Sequence, residues 1–406
     1  MAELHALQVD RAHTGVALER TWAQGAAALV LPASAPDAQV RALLERLRPS
    51  RLVHLDTGGG MAGTRLTGGA PIGDDIALVV ATSGSTGTPK GVELSHAALR
   101  ASVTASVARL GARSGERWGL ALPTHHIAGI SVLLRAAALG TTAVVAADTA
   151  AVGDLDVEHV ALVPAQLERL LAQGAAVERF TTILLGGAPA GEALLERARQ
   201  AGAQVVTSYG MTETVGGCVY DGRPLDDVEV AVDAASARIR IRGAVLLEGY
   251  RSLTGTPVGA DGYRSLTGTP VDAEGWFTTP DLGRLDAEGR LEVTGRADDV
   301  LISGGENVPL AAVTALLRSH PAVADVTVAA VADDRWGQVP AAVVVPTAAQ
   351  QPPRLSDLQA HVRAHAPAAY APGHLLLVDH LPRDGLGKLP AAEVSALLVA
   401  EGLTPT

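Results

Sequence analysis

The chain contains only two lysines, Lys90 and Lys388, and both lie in glycine-containing segments. Lys90 is in SGSTGTPKG (residues 83–91). There, glycines let backbone N–H groups face an anion, Ser and Thr hydroxyls add donors, and the ammonium adds a point charge. The stretch is not a Walker loop, because Pro89 precedes the lysine and Gly91 follows it. It predicts a phosphate-holding loop between a strand and a helix. The alternative, an exposed loop without a ligand, does not explain the rare lysine.

Two further segments carry groups suited to a nucleotide. In SYGMTET (residues 208–214), Tyr209 follows a predicted strand and could stack on a flat base, while Thr212 could donate to a phosphate. Glu213 could hold Mg²⁺, which prefers a carboxylate or two together with phosphate oxygens, or could equally be a helix N-terminal charge. Asp281 could accept the paired hydroxyls of a ribose, and Arg296 could help to fix them. Surface ion pairing is the alternative for these last two.

The elements around these segments predict an α/β fold. Apolar strands such as DIALVVATSG (residues 75–84) alternate with helices, one of them capped by Ser95 and stopped by Gly111. This alternation is typical of helix-covered, mostly parallel sheets. After about Gly217 the pattern becomes β-rich. We therefore predict a large N-terminal domain, residues 1–297, and a small, mobile α+β C-terminal domain, residues 298–406.

Composition excludes several classes of protein. The 406 residues carry a net charge of −11 without a basic run, which argues against nucleic-acid binding. The single cysteine, Cys218, excludes an intramolecular disulfide and a cysteine-based zinc site. The N-terminus lacks a signal-peptide pattern, and the most apolar window, residues 127–147, is interrupted by Arg135 and Gly140. We expect a cytoplasmic enzyme without a membrane span; a homodimer is one assembly that the sequence leaves open.

One segment is duplicated. GYRSLTGTPV occurs at residues 249–258 and again at 262–271, an offset too short and too rarely repeated for a solenoid. Either copy alone could join the flanking segments. We interpret the pair as a tandem duplication tolerated in an exposed Gly/Pro/Thr-rich loop.

The order of the segments SGSTGTPKG, GGAP, YGMTET, PDLG, GRADD and GLGK, within roughly residues 75–400, resembles that of the adenylate-forming superfamily. This superfamily contains acyl-CoA synthetases, peptide-synthetase adenylation domains and luciferases. The chain has fewer residues before the phosphate loop than typical members. Pro280 also stands in PDLG where a glycine is common. Among short members, LPTHHIAGISVLLRA, VPAQLERLL and YGMTETVGGCVYDGRPLDDVEV resemble the o-succinylbenzoate–CoA ligases of menaquinone biosynthesis.

The resemblance implies a two-step reaction with ATP, Mg²⁺ and CoA, in which a carboxylic acid becomes an acyl-AMP and then an acyl-CoA thioester. It implies a nucleotide site with these residues: for the β- and γ-phosphates, Ser83, Gly84, Ser85, Thr86, Gly87, Thr88 and Lys90; for adenine, Gly187, Ala188, Pro189 and the ring of Tyr209; for ribose, Asp281 and Arg296; and, as further nucleotide contacts, Thr82, Ser208, Gly210 and Met211. Thr212 would contact the α-phosphate, and Glu213 would bind the metal.

The resemblance also assigns roles to the C-terminal part. Lys388 would bridge the carboxylate and the α-phosphate in the first step, and Asp298 would be the hinge. Rotation there would exchange Lys388 for the loop SGGEN (residues 303–307), with Gly304 and Gly305 beside the pantetheine. His126 would lie where acyl group and thiol meet, or be a core histidine.

Cys218 is interpreted as a small buried residue, because CoA brings its own thiol. The alternatives to an o-succinylbenzoate ligase are a ligase for another benzoate-like or medium acyl acid, an enzyme that loads a separate carrier protein, and a non-catalytic nucleotide-binding regulator. Intact Lys388, Glu213 and Asp281 argue against the regulator.

Overall fold

The structure is a computed structural model of the chain, and it describes residues 1–55, 60–83, 89–251, 270–383 and 389–406. The chain divides into two compact units, Met1–Val230 with Ile241–Phe277, and Ala231–Arg240 with Thr278–Thr406. The domain boundary predicted between residues 297 and 298 lies inside the second unit. That boundary was placed at the hinge about which the C-terminal domain would rotate, and it stays a prediction.

The first unit begins with a sheet and three helices. Their bounds are β1 (Leu4–Gln8), α1 (Arg11–Ala23), β2 (Ala27–Val30), α2 (Asp37–Leu47), β3 (Arg51–Leu55), β4 (Met61–Arg65), β5 (Ile76–Ser83), β6 (Pro89–Ser95) and α3 (His96–Leu110). Strands β5, β2, β1 and β3 are parallel neighbours. All four residues of β2 are buried, as expected for a strand covered on both faces.

The second sheet of this unit follows directly. Its elements are β7 (Trp118–Leu120), α4 (Ile127–Ala138), β8 (Val144–Val145), β9 (His159–Leu162), α5 (Pro164–Ala172), β10 (Thr182–Leu185), α6 (Glu192–Gln200), β11 (Val205–Met211), β12 (Gly216–Tyr220) and β13 (Arg223–Pro224). The order is β13-β12-β11-β10-β9-β7-β8, parallel from β11 to β8. The predicted helix-covered parallel sheets are therefore confirmed.

The β-rich part is also present. It contains β14 (Val228–Val232), β15 (Arg238–Gly243), β16 (Gly249–Arg251), β17 (Phe277–Leu285) and β18 (Leu291–Arg296). Strands β14, β15, β17 and β18 form a four-stranded sheet in that order, whereas β16 pairs with β6 in the first sheet.

The C-terminal part of the second unit has a mixed α and β composition, as predicted. Its elements are β19 (Val300–Ser303), β20 (Glu306–Pro309), α7 (Leu310–Arg318), β21 (Val323–Asp333), β22 (Gly337–Pro346), α8 (Leu355–Arg363), β23 (His374–Leu377) and α9 (Ala391–Ala400). Buried Leu317, Val326, Val344 and Val362 share one core cluster, in which α7 and α8 pack on the sheet. Among the described helices, none combines the length and the apolar character needed to cross a bilayer.

Two predictions about local structure need correction. The phosphate segment does not precede a helix directly, because it connects antiparallel β5 and β6. The residues after it continue as a strand, with buried Val92 and Leu94 alternating with polar neighbours, and α3 begins only after the Ser95 cap. The duplicated segment was expected in an exposed loop, yet its first three residues form β16, and Arg251 is buried. Residues 252–269 lie outside the described part.

Candidate active site

Lys90 lies at the start of β6, opposite Thr82 on β5. The Thr82 hydroxyl donates to the Lys90 carbonyl over 3.4 Å. The next residue must be glycine, because a Cβ on Gly91 would come within 2.7 Å of Val79 and 2.9 Å of Leu47. Strand alternation thus places Lys90 on one face, while Gly91 fits the crowded opposite face. The predicted phosphate residues Gly84, Ser85, Thr86, Gly87 and Thr88 lie outside the described residues, as does the side chain of Ser83.

The two oppositely charged groups expected at the triphosphate lie together. Lys90 Nζ is 3.4 Å from Glu213 Oε1, with the lysine side chain 35% exposed and the carboxylate 13% exposed. The Tyr250 hydroxyl donates to the same Oε1 over 3.0 Å. The other oxygen, Oε2, takes part in neither contact. Glu213 is therefore oriented by two donors and still offers one oxygen to a further ligand.

Tyr250 is a site residue that the sequence reasoning missed. Its ring lies under the Lys90 ammonium, with Nζ 3.7 Å from the ring centroid. Burial raises the pKa of the Tyr250 phenol, and the nearby charge of Glu213 raises it further, so the hydroxyl remains a donor. The available signal was its position: a tyrosine directly before the arginine of a segment that had been interpreted as loop.

The segment YGMTET runs from β11 into a 3-10 turn, Thr212–Thr214. The turn is fixed by the Thr214 hydroxyl, which accepts from the Met211 backbone N–H over 2.9 Å and donates to the Gly216 carbonyl over 2.7 Å. Gly210 is required, because a Cβ there would lie 1.9 Å from the Gly216 carbonyl oxygen. Val215 follows with φ of 53°, which is strained for a β-branched residue. The turn carrying Thr212 and Glu213 is thus held tightly.

The residues expected around adenine follow neighbouring parallel strands. Gly187, Ala188 and Pro189 come after β10, whereas Ser208 and Tyr209 lie in the last part of β11. The parallel register pairs Leu185 with Thr207, which places the two groups at the same sheet edge. The structure therefore brings together the predicted adenine residues.

His126 is the N-cap residue of α4, and its ring lies 4.2 Å from that of His125. Ser131 of the same helix lies beside Gly216, just after the YGMTET turn. The helix is held by Arg135, a buried arginine that donates to the Ser106 hydroxyl over 2.8 Å. The structure thus places the helix that carries His126 near the turn, while the contact of His126 with substrate remains a prediction.

Cys218 lies on β12 and is fully buried, as predicted. Burial raises the pKa of its thiol to about 12. The group is therefore a thiol at neutral pH and a poor nucleophile.

In the second unit, the structure pairs the two residues predicted at the ribose. Asp281 on β17 and Arg296 on β18 are direct cross-strand partners, and Arg296 Nη1 lies 3.7 Å from Asp281 Oδ1. Gly304 and Gly305 form the two-residue turn between β19 and β20, with φ of 56° and 88°. Positive φ at both positions is what a tight hairpin turn demands. Asp298 lies in a 3-10 turn, Ala297–Asp299, and Lys388 lies outside the described residues.

The donor set fits Mg²⁺. Among the described residues, no three His, Cys, Asp or Glu side chains converge as a metal cage. Mg²⁺ does not need such a cage, because it is commonly held by one or two carboxylates together with substrate phosphates and waters. Glu213, with Oε2 outside both of its contacts, meets that requirement.

Comparisons with known proteins agree with this geometry. A model of the AMP-binding enzyme family matches residues 28–244, and one of the AMP-binding enzyme C-terminal domain matches residues 312–388. A probable 2-succinylbenzoate–CoA ligase of Mycobacterium tuberculosis is 42% identical over 340 residues, which cover 80% of this chain and 85% of the relative. The 2-succinylbenzoate–CoA ligase of Bacillus subtilis is 33% identical over 344 residues, covering 78% and 68%.

Solved structures give the same result. The o-succinylbenzoate coenzyme A synthetase of Bacillus subtilis in complex with ATP and a magnesium ion superimposes with a TM-score of 0.80 at 28% identity, covering 95% of this chain and 88% of that one. Its complex with the acyl-adenylate intermediate OSB-AMP gives 0.79, covering 97% and 88%. The AMP-binding family match extends over more than half of the chain and includes Lys90, Glu213 and the residues expected around adenine. This chain therefore belongs to the AMP-binding enzyme family.

Proposed function

We propose that the protein is an ATP-dependent acid–CoA ligase that converts 2-succinylbenzoate into its CoA thioester through an acyl-AMP intermediate, as a step of menaquinone biosynthesis. The observation that carries the proposal is that one unit contains both the Lys90–Glu213 ion pair and the edge of β10 and β11 at which adenine is expected. The named relatives support the choice of acid, since the chain spans 85% of the Mycobacterium tuberculosis ligase at 42% identity.

In the first step, a carboxylate oxygen of the acid attacks the α-phosphorus of ATP, and the bond to pyrophosphate breaks. Negative charge accumulates on both sides of that phosphorus, so fixed donors and cations lower the barrier. Lys90 faces the departing phosphates, and the Thr212 hydroxyl faces the α-phosphate. Glu213 would hold Mg²⁺, and the bound ion would neutralise part of the charge on the leaving group.

The remaining contacts position the nucleoside and the acid. Tyr209 and the backbone of Gly187 hold adenine at the edge of β10 and β11, and Asp281 with Arg296 binds the ribose hydroxyls. Lys388 lies between the carboxylate and the α-phosphate in this step. Its slim ammonium on a flexible stem suits a group that arrives and leaves with a moving segment.

In the second step, the CoA thiol loses its proton and its sulfur attacks the acyl carbon, while AMP leaves with the electrons of the C–O bond. The protein needs no cysteine nucleophile, which agrees with the buried, high-pKa thiol of Cys218. Rotation at Asp298 exchanges Lys388 for the glycine turn Gly304–Gly305, where a Cβ on Gly305 would meet no atom within 4 Å and the pantetheine can approach.

The test is pyrophosphate release from ATP, with and without CoA, across a panel of carboxylic acids that includes 2-succinylbenzoate. We expect release with that acid and, on adding CoA, its thioester by mass spectrometry. A preference for a benzoate or a medium-chain acid would keep the chemistry but reject the substrate. Release that needs a carrier protein instead of CoA would indicate a loading enzyme. No release with any acid would favour a nucleotide-binding regulator.

A further inference from the structure

Tyr250 contacts both charged groups of the triphosphate site. Its hydroxyl donates to Glu213 Oε1 over 3.0 Å, and its ring faces Lys90 Nζ at 3.7 Å. One side chain thus touches the cation expected at the phosphates and the carboxylate expected at the metal.

Strand register explains why Tyr250 reaches this position. Tyr250 pairs with Val92 across β16 and β6, so Lys90, two residues before Val92, is its diagonal neighbour on the same face. Diagonal neighbours in an antiparallel pair lie within reach of aromatic and long side chains. The contact is therefore set by the backbone and not by a chance rotamer of the lysine.

The next residue anchors this arrangement from the other face. Arg251 points away from Tyr250, is buried, and donates to the carbonyls of Leu47 and Ala70 over 2.7 Å each. Such a buried, charge-assisted set of bonds resists sliding of β16 along β6. Tyr250 is consequently fixed in register with Lys90.

The two residues before β16 also hold the backbone of the YGMTET turn and of β6. The Leu247 N–H donates to the Glu213 carbonyl over 2.9 Å, and the Glu248 N–H donates to the Glu93 carbonyl over 2.9 Å. Glu213 is thus held by this segment at its main chain through Leu247 and at its carboxylate through Tyr250. One short stretch of chain fixes the phosphate strand and the metal-ligand turn relative to each other.

We propose that Tyr250 is a positioning residue for the adenylation step, which keeps the Lys90 ammonium and the Glu213 carboxylate at a fixed spacing for the triphosphate and its Mg²⁺. The ring restricts the ammonium, and the hydroxyl restricts the carboxylate. The inference rests on the proposed function, but it concerns nucleotide and metal binding and can be tested without the acid.

The experiment compares Tyr250→Phe, Tyr250→Leu and the wild type by calorimetric titration with ATP, with and without Mg²⁺. Tyr250→Phe removes only the hydroxyl. We expect it to leave ATP affinity without Mg²⁺ within about 2-fold of wild type and to reduce the Mg²⁺-dependent gain in affinity by roughly 10-fold, the scale for a lost hydrogen bond to a charged group. Tyr250→Leu also removes the ring, and should in addition weaken ATP binding without Mg²⁺ by about 3- to 5-fold.

The matched control is Tyr263→Phe, which makes the same change at the corresponding position of the second copy of GYRSLTGTPV. It should match the wild type in both titrations. A purely structural role would lower the melting temperature of both Tyr250 variants without changing the Mg²⁺ dependence of the folded protein. That result, or an effect in Tyr263→Phe but not in Tyr250→Phe, would overturn the proposal. Failure of the proposed function is recognised separately, by normal nucleotide binding with no turnover of any acid.

Discussion

Asp281 and Arg296 face each other across two antiparallel strands, with a guanidinium nitrogen 3.7 Å from a carboxylate oxygen. The aspartate side chain is 13% exposed and the arginine 44% exposed. An ion pair this open to solvent contributes little stability, about 0–1 kcal/mol. The pair is compatible with both interpretations of these residues, ion pairing and ribose binding, and substitution of Asp281 distinguishes them.

We expect Asp281→Ala to lower kcat/KM for ATP by roughly 10- to 100-fold, the scale for hydrogen bonds to a charged acceptor. The decisive measurement is a cycle with 2′,3′-dideoxy-ATP. If Asp281 accepts the ribose hydroxyls, the wild type should discriminate strongly between the two nucleotides, and the variant should not.

Asp334→Asn, at an exposed carboxylate of the same unit, serves as the control and should discriminate like the wild type. Equal discrimination by the Asp281 variant and the wild type would remove Asp281 from the ribose site.

Much of the candidate nucleotide site is predictable from the sequence, because its residues follow the ends of recognisable strands. Tyr209 and Gly187 follow apolar runs that are recognisable as buried strands, and the carboxyl ends of parallel strands meet at one edge. The cap at Ser95 was likewise predictable, since its hydroxyl accepts from the Ala98 N–H three residues on.

Tyr250 was not predictable by the same reasoning. Strand β16 is three residues long, too short to show a periodic pattern, and the turn residues of the duplicated segment dominate its composition. Its place is decided by partners distant in sequence: Leu47 and Ala70 accept the hydrogen bonds of Arg251. The continuation of β6 beyond Lys90 was missed for a related reason, because glycine-rich segments before helices suggest a direct strand-to-helix connection.

Lys388 should be required for only one half-reaction. We expect Lys388→Ala to slow acyl-AMP formation at least 100-fold, the scale for removing one group that stabilises transition-state charge. Thioester formation from supplied acyl-AMP should remain within a few-fold of wild type. Pyrophosphate exchange and CoA-thioester production measure the two steps separately.

Lys388→Arg is the informative companion, because it keeps the charge but replaces a compact ammonium by a planar guanidinium. We expect it to restore only part of the adenylation rate. Equal loss of both half-reactions in Lys388→Ala would contradict the role assigned to Lys388.

Glu93 should make the stability of the protein decrease as the pH rises. Burial raises the pKa of the Glu93 carboxyl, an effect that the neighbouring Arg251 opposes. A raised folded-state pKa means that the native state binds the proton more tightly than the unfolded chain. The contribution to stability is then present below the unfolded pKa and is lost as pH rises through the folded value.

In urea unfolding between about pH 4 and pH 7, the stability of the wild type should therefore fall relative to Glu93→Gln as the pH rises. Glu248→Gln, at an exposed glutamate nearby, makes the same chemical change outside the buried contact with Arg251 and serves as the control. A wild-type stability that rises with pH relative to Glu93→Gln would show that the Arg251 contact outweighs burial.

The Cys218 thiol should not react with alkylating reagents in the folded protein. Its thiol is buried with a pKa of about 12, so the thiolate that reacts with alkylating reagents is both rare and inaccessible. We expect iodoacetamide at pH 8 to label the protein only after unfolding, and Cys218→Ala to keep full ligase activity. Fast labelling of the native protein, with loss of activity, would show that Cys218 is exposed to the site.

One copy of the duplicated segment should be dispensable for activity. Deleting residues 252–264 leaves one continuous copy, because Gly249–Arg251 is then followed by the SLTGTPV of the second copy. The deletion removes none of the described residues, and it retains Tyr250 with its contacts to Lys90 and Glu213. We therefore expect kcat and KM for ATP within about 2-fold of the wild type.

Stability should rise slightly. The segment between Arg251 and Pro270 shortens from 18 to 5 residues, which follows from its bounds of 252 and 269 and the 13 residues removed. The sequence predicts a loop here, and because the entropy of loop closure grows with the logarithm of loop length, the gain should be about 1 kcal/mol in urea unfolding. Deleting residues 249–261 instead gives an identical polypeptide, because Gly262, Tyr263 and Arg264 then follow Glu248. The two deletions thus give one and the same protein. A large loss of activity in this single-copy protein would show that the additional 13 residues have a function of their own.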